Sequence, residues 1–370
     1  MNIHKTWTKV LLGVLAVFIL YNYAVWTFFT EDILTDRKYY NGGLDRMGYI
    51  VGSKHYRTHE STLPRTVIEN RDYAGQRIDV ITIGDSFSNV KFNGRDPMYQ
   101  DWIASLYDLN VLNLQPLPGH DVFTTTITLL NSGYLDKVKP HSLVLEFVER
   151  HCIEVFGHEV DFKKSMPLEE IESQYRVLAF HYELPELKFI NKGNFKVVQN
   201  AVLYHFSDNA FSSNVYMREL DRPMFSVRNE RRLLFYKDDI SNVKKATDDS
   251  MRFLNDNLNR LAALLAKKGI WLYFMPAADK YNVYSDLIVK NPYQPSVFFE
   301  LLRPLPKRYA LVDTKAILKK EVERGEKDVY YADDTHWSWK GAKRIAEAMA
   351  FPRTVSIRRQ GRGQLTSERQ

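Results

Sequence analysis

The sequence holds one cysteine, Cys152, in 370 residues. A single thiol excludes an internal disulfide and any cysteine-rich metal site, and after a strand it reads as a small buried apolar residue. An excess of one charge is missing too, since 51 Lys and Arg face 45 Asp and Glu for a net +6. The signs are interspersed, which describes a solvated surface, and no nucleic-acid partner is expected. Glycine is sparse at 17 residues, and no glycine-rich phosphate loop stands between a strand and a helix; Asn41-Gly-Gly43 lacks that setting. His55 and His59 are spaced i, i+4 but have no third ligand nearby in sequence. No metal and no cofactor is therefore expected.

What is present begins at the amino terminus. From Val10 to Phe29 there are 20 residues without a charge, enough helix to cross ~30 Å of hydrocarbon. Lys5 and Lys9 precede the run, and Glu31 and Asp32 follow it. The positive-inside rule then puts the amino terminus in the cytoplasm, with one span through the inner (cytoplasmic) membrane and everything after it extracytoplasmic or periplasmic. A cleaved signal peptide would be shorter and end in small residues, whereas this run ends in Trp26, Phe28 and Phe29. Tyr21 and Tyr23 join them as an expected aromatic belt at the outer interface.

Four segments are expected: 1–30 as cytoplasmic terminus and transmembrane anchor, 31–77 as a stalk, 78–352 as the working domain, and 353–370 as a basic, disordered tail. Within the domain, apolar runs at Ile78–Ile83, Leu109–Leu114, Ser142–Val148, Ile270–Met275 and Ala310–Val312 predict strands. Helical patterns fall between them: Pro97–Tyr107, Asp121–Asn131, Ser250–Lys268 and Trp339–Met349. Strands alternating with helices predict an α/β fold, a three-layer sandwich on a parallel, doubly wound, flavodoxin-like sheet. Residues 152–245 break the alternation and read as an insertion or cap.

The stretch Ile78 to Val90 organises the rest. Its strand runs into Gly84-Asp85-Ser86-Phe87, delivering a serine at the carboxyl edge, where α/β folds keep their sites. A Gly-Asp-Ser turn alone is equally a helix cap. The elbow Gly-x-Ser-x-Gly is absent, which disfavours the α/β-hydrolase fold. Some 250 residues on stands Asp333-Asp334-Thr335-His336-Trp337. Most of the ten histidines are surface or packing residues, but carboxylates two and three residues before His336 offer one ring nitrogen an acceptor. Ser86, His336 and either Asp333 or Asp334 are thus the candidate nucleophile, base and orienting carboxylate, with Asp334 favoured.

These blocks resemble the SGNH (GDSL-type) hydrolase superfamily. More narrowly, Gly-Asp-Ser-Phe with Asp-Thr-His-Trp and a following Gly-Ala is similar to the alginate O-acetyltransferase group. Pro276 through Asp279-Lys280 to Tyr284, and Glu149-Arg150, are similar to further blocks of that group. The resemblance implies an acetyl-serine on Ser86, with His336 as base and the Ser86 N–H and Gly119 binding the oxyanion. Where the superfamily carries an Asn after the third strand this chain has Glu149-Arg150, and its Ser precedes its Asp-His pair, the reverse of the alginate enzymes. Arg150, Lys280, Tyr284 and Trp337 are expected on the substrate side, the tryptophan as a stacking ring and Lys280 and Tyr284 against a polyanionic chain; packing is the competing role for Trp337, and a solvated helix face for Lys280 and Tyr284. The expected function is O-acetylation of an exported or cell-surface polysaccharide, with acetyl groups passed on by a multi-span membrane-bound O-acyltransferase. An anchored acetylesterase and a non-catalytic polysaccharide-binding or assembly subunit are the alternatives.

Overall fold

The computed structural model describes residues 3–34, 43–57, 62–88, 96–178 and 188–351; Asn41, Gly42, His59 and the tail 353–370 lie outside the described residues. Its strands are β1 (Ile68–Glu69), β2 (Val80–Ile83), β3 (Val111–Leu114), β4 (Ser142–Val148), β5 (Val215–Glu219), β6 (Arg232–Tyr236), β7 (Trp271–Ala277) and β8 (Ala310–Leu311). Six of them form one parallel sheet in the order β1-β3-β2-β4-β7-β8. Every residue of β2 and β3 is buried. That explains their unbroken apolar runs: strands covered by helices on both faces have no wet side for alternation to serve.

The principal helices are α1 (Ile3–Val25), α2 (Gly43–Gly48), α3 (Tyr99–Tyr107), α4 (Val122–Asn131), α5 (Glu149–Phe156), α6 (Leu168–Val177), α7 (Lys192–Leu203), α8 (Asp248–Ala266), α9 (Thr314–Glu323) and α10 (Trp339–Ala348). They pack as two groups flanking the sheet, α3 with α10 and α9, and α4 with α5 and α8. Polar caps set where they start. Asp121 accepts the Thr124 N–H at 2.7 Å to open α4, and Thr247 accepts the Ser250 N–H at 3.2 Å to open α8.

Leaving β1 aside, the order β3-β2-β4-β7-β8 is the flavodoxin-like one, and the winding reverses between β2 and β4. The loops after these two strands therefore part at their carboxyl ends and leave a crevice. The α/β class, the parallel sheet and the flanking helices are as the sequence predicts.

Two segments hold more than the sequence suggested. Residues 31–77, read as a stalk, contribute α2, the edge strand β1 and a fully buried Arg57. Residues 152–245 contain α6, α7 and an antiparallel hairpin of β5 and β6. The helix of α1 is carried on by a π-helical turn Trp26–Thr30 and a last turn Glu31–Leu34, long and apolar enough to cross a membrane. Residues 3–20 are exposed all round, whereas Asn22, Val25, Thr30 and Ile33 are buried against the domain.

Candidate active site

The turn after β2 is built so that almost every side chain has one place to go. Gly84 lies against Ser88 and Glu146, and a Cβ there would come within 2.1 Å of Ser88 Oγ and 2.3 Å of Glu146 Oε2. Asp85 accepts the Phe87 N–H with one carboxylate oxygen and the Val148 N–H with the other, both at 2.9 Å, tying the turn to the end of β4. Ser88 Oγ donates to Glu146 at 2.7 Å, and the Ser88 carbonyl accepts from Asn113 at 2.9 Å and Gln100 at 3.0 Å. Glu146 is buried; desolvation first, then the Asp85 charge, pushes its carboxyl well above the usual range. Ser86 projects its hydroxyl from a half-buried position.

That hydroxyl meets His336. Ser86 Oγ lies 2.7 Å from His336 Nε2, and Asp334 Oδ1 lies 2.8 Å from Nδ1. Such a chain suits a nucleophile with its base behind it, because the carboxylate fixes the tautomer that leaves Nε2 free to accept. Burial works to raise the Asp334 carboxyl, but the His336 ring, the Arg57 charge and the Thr335 N–H together hold it well below the ordinary carboxylate range. Phe87 packs its ring 4.4 Å from the imidazole and 4.6 Å from Trp337, which limits how the histidine can turn.

The histidine loop is held from two sides. From inside, Lys280 Nζ donates to the carbonyls of Tyr331 at 2.7 Å and of Ala332 and Asp334 at 3.0 Å. Desolvation lowers this ammonium to about 7, against the pull of Asp333 and Asp334. From the other side, Arg57 bonds Asp333 at 3.0 Å and Asp334 at 3.2 Å, its guanidinium carbon over the Tyr331 ring 4.1 Å from the ring centre. Asp333 also accepts the His55 N–H at 2.8 Å, and its carbonyl accepts the Leu44 N–H at 3.0 Å. Beside it Asp45 is buried; desolvation and the Asp333 charge raise its carboxyl well above the usual range.

The two carboxylates thus divide. Asp334 reaches the imidazole ring, and Asp333 binds Arg57 and the segment around His55. Three expected substrate contacts need correcting. Lys280, Tyr284 and Trp337 are at most 1 % exposed, so no sugar reaches them: the lysine is saturated by loop carbonyls and the two rings are core. Arg150 is also engaged within the protein, at 2.7 Å to Asp279, 3.3 Å to Asp239 and 3.4 Å to Thr335, joining the end of β4 to the histidine loop. Gly119 stands exposed at φ +74° in the loop after β3, the strand beside β2. Among the described residues nothing accepts from the Ser86 N–H.

Sequence reasoning missed Arg57, Phe87, Ser88 and Glu146. Only the charged residue Glu146 inside an apolar strand run was a signal; Arg57 sits in a polar lead-in where nothing marks it. A cavity of about 930 Å³ includes His55, Lys54, Tyr204 and Arg232 in its lining but neither Ser86 nor His336. The geometry around Ser86 is the better guide to chemistry. Among the described residues no group of three or more His, Cys, Asp or Glu is arranged for a metal ion.

No curated protein matched the chain. A family model did, that of the SGNH hydrolase-like domain of the acetyltransferase AlgX, over residues 228–370. That match takes in Lys280, Asp334 and His336, while Ser86 lies ahead of it. Over those residues the chain is similar to that SGNH hydrolase-like domain.

Proposed function

We propose that this chain is a membrane-anchored, extracytoplasmic O-acetyltransferase acting on an exported or cell-surface polysaccharide, with Ser86, His336 and Asp334 as its triad. The observation that carries the reading is the unbroken chain Asp334–His336–Ser86, with contacts of 2.8 and 2.7 Å, inside a fold related to an acetyltransferase domain.

In the first half-reaction Ser86 Oγ attacks the acetyl carbonyl of the donor as its proton passes to His336 Nε2. Asp334, its carboxyl held well below the ordinary range by the His336 ring and Arg57, stabilises the imidazolium. The oxyanion lies against the Ser86 N–H, with Gly119 as the second donor. Collapse expels the donor's oxygen, which takes the proton back from His336, and leaves acetyl-Ser86. In the second half a sugar hydroxyl attacks the ester carbonyl as its proton passes to His336, and collapse breaks the bond to Ser86 Oγ, which takes that proton back from His336 as the acetylated sugar leaves. A multi-span membrane O-acyltransferase is the proposed source of acetyl groups, which suits a domain docked onto its own anchor.

The test uses the full chain in lipid nanodiscs with a chromogenic acetyl ester. Acetate release should fall by about 10³-fold or more in Ser86→Ala and in His336→Ala. An acetyl adduct should appear on Ser86 by mass spectrometry, and added oligosaccharide should take the acetyl group. Acetate release with no transfer to any acceptor would favour an esterase. Neither turnover nor an adduct would leave a polysaccharide-binding subunit as the better reading.

A further inference from the structure

The helix α7 has two faces of unlike character. Gly193, Asn194, Val197 and Asn200 are buried against the domain and the anchor. The opposite side shows Phe195 at 48 %, Val198 at 40 %, Val202 at 55 % and Phe206, just past the helix end, at 75 % exposure. Spacings of three, four and four make these one apolar stripe, flanked by Lys192 and Lys196. An apolar stripe on a soluble surface calls for something to cover it.

The anchor says what that is. Phe195 packs against Tyr21 with ring centres 5.2 Å apart, the rings tilted, and stacks on Phe18 at 6.4 Å. Asn194 donates to Asn22 at 2.8 Å, both side chains being fully buried, and Tyr21 donates to the Asn194 carbonyl at 3.1 Å. Gly193 permits the approach: a Cβ there would lie 2.8 Å from Leu34 and 3.2 Å from Thr30. These contacts fix the depth of α7 on the anchor. The charge-free run ends at Phe29, and Phe18 and Tyr21 stand eleven and eight residues before it. Thr30 and Leu34, which Gly193 meets, stand just beyond the outer end of the span, whereas at ~1.5 Å per residue Phe18 and Tyr21 lie roughly 12–16 Å below it, so α7 starts at the outer edge of the hydrocarbon and Phe195 reaches down to those two rings. Lys5 and Lys9 prevent the span from sliding toward the amino end to lift them clear.

We infer that α7 lies along the outer interface of the bilayer that holds α1, with Phe195, Val198, Val202 and Phe206 turned into lipid and Lys192 and Lys196 extending to the headgroups. The buried Asn22–Asn194 bond is the polar contact expected between helices at that depth. The consequence reaches the site. Asn200 donates to the Gly48 carbonyl of α2 at 2.9 Å, and the Leu44 N–H of α2 holds the Asp333 carbonyl. A helix lying along the interface is thereby connected to the histidine loop and sets its height above the membrane. The inference rests on the anchor reading and is independent of the proposed chemistry.

The test places a nitroxide label on Val198→Cys and Val202→Cys of the full chain in nanodiscs of phosphatidylcholine and phosphatidylglycerol. Cys152 is fully buried and its thiol is pushed well above the usual range, so it stays unlabelled. Val14→Cys on the anchor and Asp256→Cys on exposed α8 are the controls. Relaxation by dissolved oxygen relative to a water-soluble nickel chelate should be severalfold higher at 198 and 202 than at 256, approaching the value at 14. Labels at 198 and 202 that match 256 while 14 reads lipid would overturn the inference and spare the anchor. Labels shielded from both reagents would overturn it in favour of a protein contact. An aqueous reading at 14 would overturn anchor and inference together.

Discussion

Arg57 and Asp334 stand 277 residues apart and meet at 3.2 Å in a pair that water does not reach. The same guanidinium binds Asp333 at 3.0 Å, so one cation neutralises both carboxylates of the histidine loop. Desolvation alone would make that cation costly, but the two carboxylates outweigh it and raise its affinity for the proton. Removing it strands two buried negative charges.

Arg57→Met should therefore destabilise the fold by about 3–5 kcal/mol, the usual cost of breaking a buried ion pair from one side. Adding Asp333→Asn should recover part of that loss, because one of the stranded charges is gone. Chemical denaturation of the single and double variants measures both. Additive losses would show that Arg57 and Asp333 are not coupled.

The two neighbouring carboxylates should separate in kinetics. Asp334→Asn should lower kcat/KM by about 10⁴-fold with little change in KM, since the amide presents the wrong partner to His336 Nδ1. Asp333→Asn should cost mainly stability, because its carboxylate is spent on Arg57 and the His55 N–H. Steady-state kinetics and a melting curve on each variant distinguish them. Equal kinetic losses would mean that both act on the imidazole.

Gly84→Ala should lower kcat by about 10²-fold while leaving the protein folded. The added methyl would overlap Ser88 and Glu146, and the turn that positions Ser86 must shift to make room. Its circular dichroism spectrum should match that of wild type. Full activity would show that the turn tolerates the displacement.

Lys280 makes a prediction about pH. Its ammonium has an affinity lowered to about 7 in the fold, against the ordinary value of 10.5 in the unfolded chain. Between these values the unfolded chain binds more protons, so stability from this group rises as pH climbs from about 7 toward 10.5. Lys280→Met abolishes that rise along with the three bonds to loop carbonyls. The stability gap between wild type and variant should widen over this window, as melting curves at several pH values would show. A gap that stays constant would mean the lysine titrates normally.

Much of the fold is legible in the sequence. The strands β2, β3 and β4 are short apolar runs with turn residues after them, and helices such as α4 and α8 carry their caps in sequence. The edge strand β1 escaped because two residues, Ile68 and Glu69, make no periodicity, and only pairing with β3 makes them a strand. The hairpin of β5 and β6 escaped because it lies among charges and aromatics that carry no alternation.

Local sequence by itself determined the α/β alternation, the long apolar helix at the amino end and the residue types of the candidate triad, because periodicity, caps and short motifs act over a few residues. Only the tertiary structure decided which of Asp333 and Asp334 faces the imidazole. That choice depends on how a loop is held by Lys280 on one side and Arg57 on the other, side chains 54 and 277 residues from Asp334. Burial decided the fate of Lys280, Tyr284 and Trp337 in the same way. A polar or aromatic residue looks the same in sequence whether it meets a sugar or fills a core, and the difference lies in what the rest of the chain packs around it.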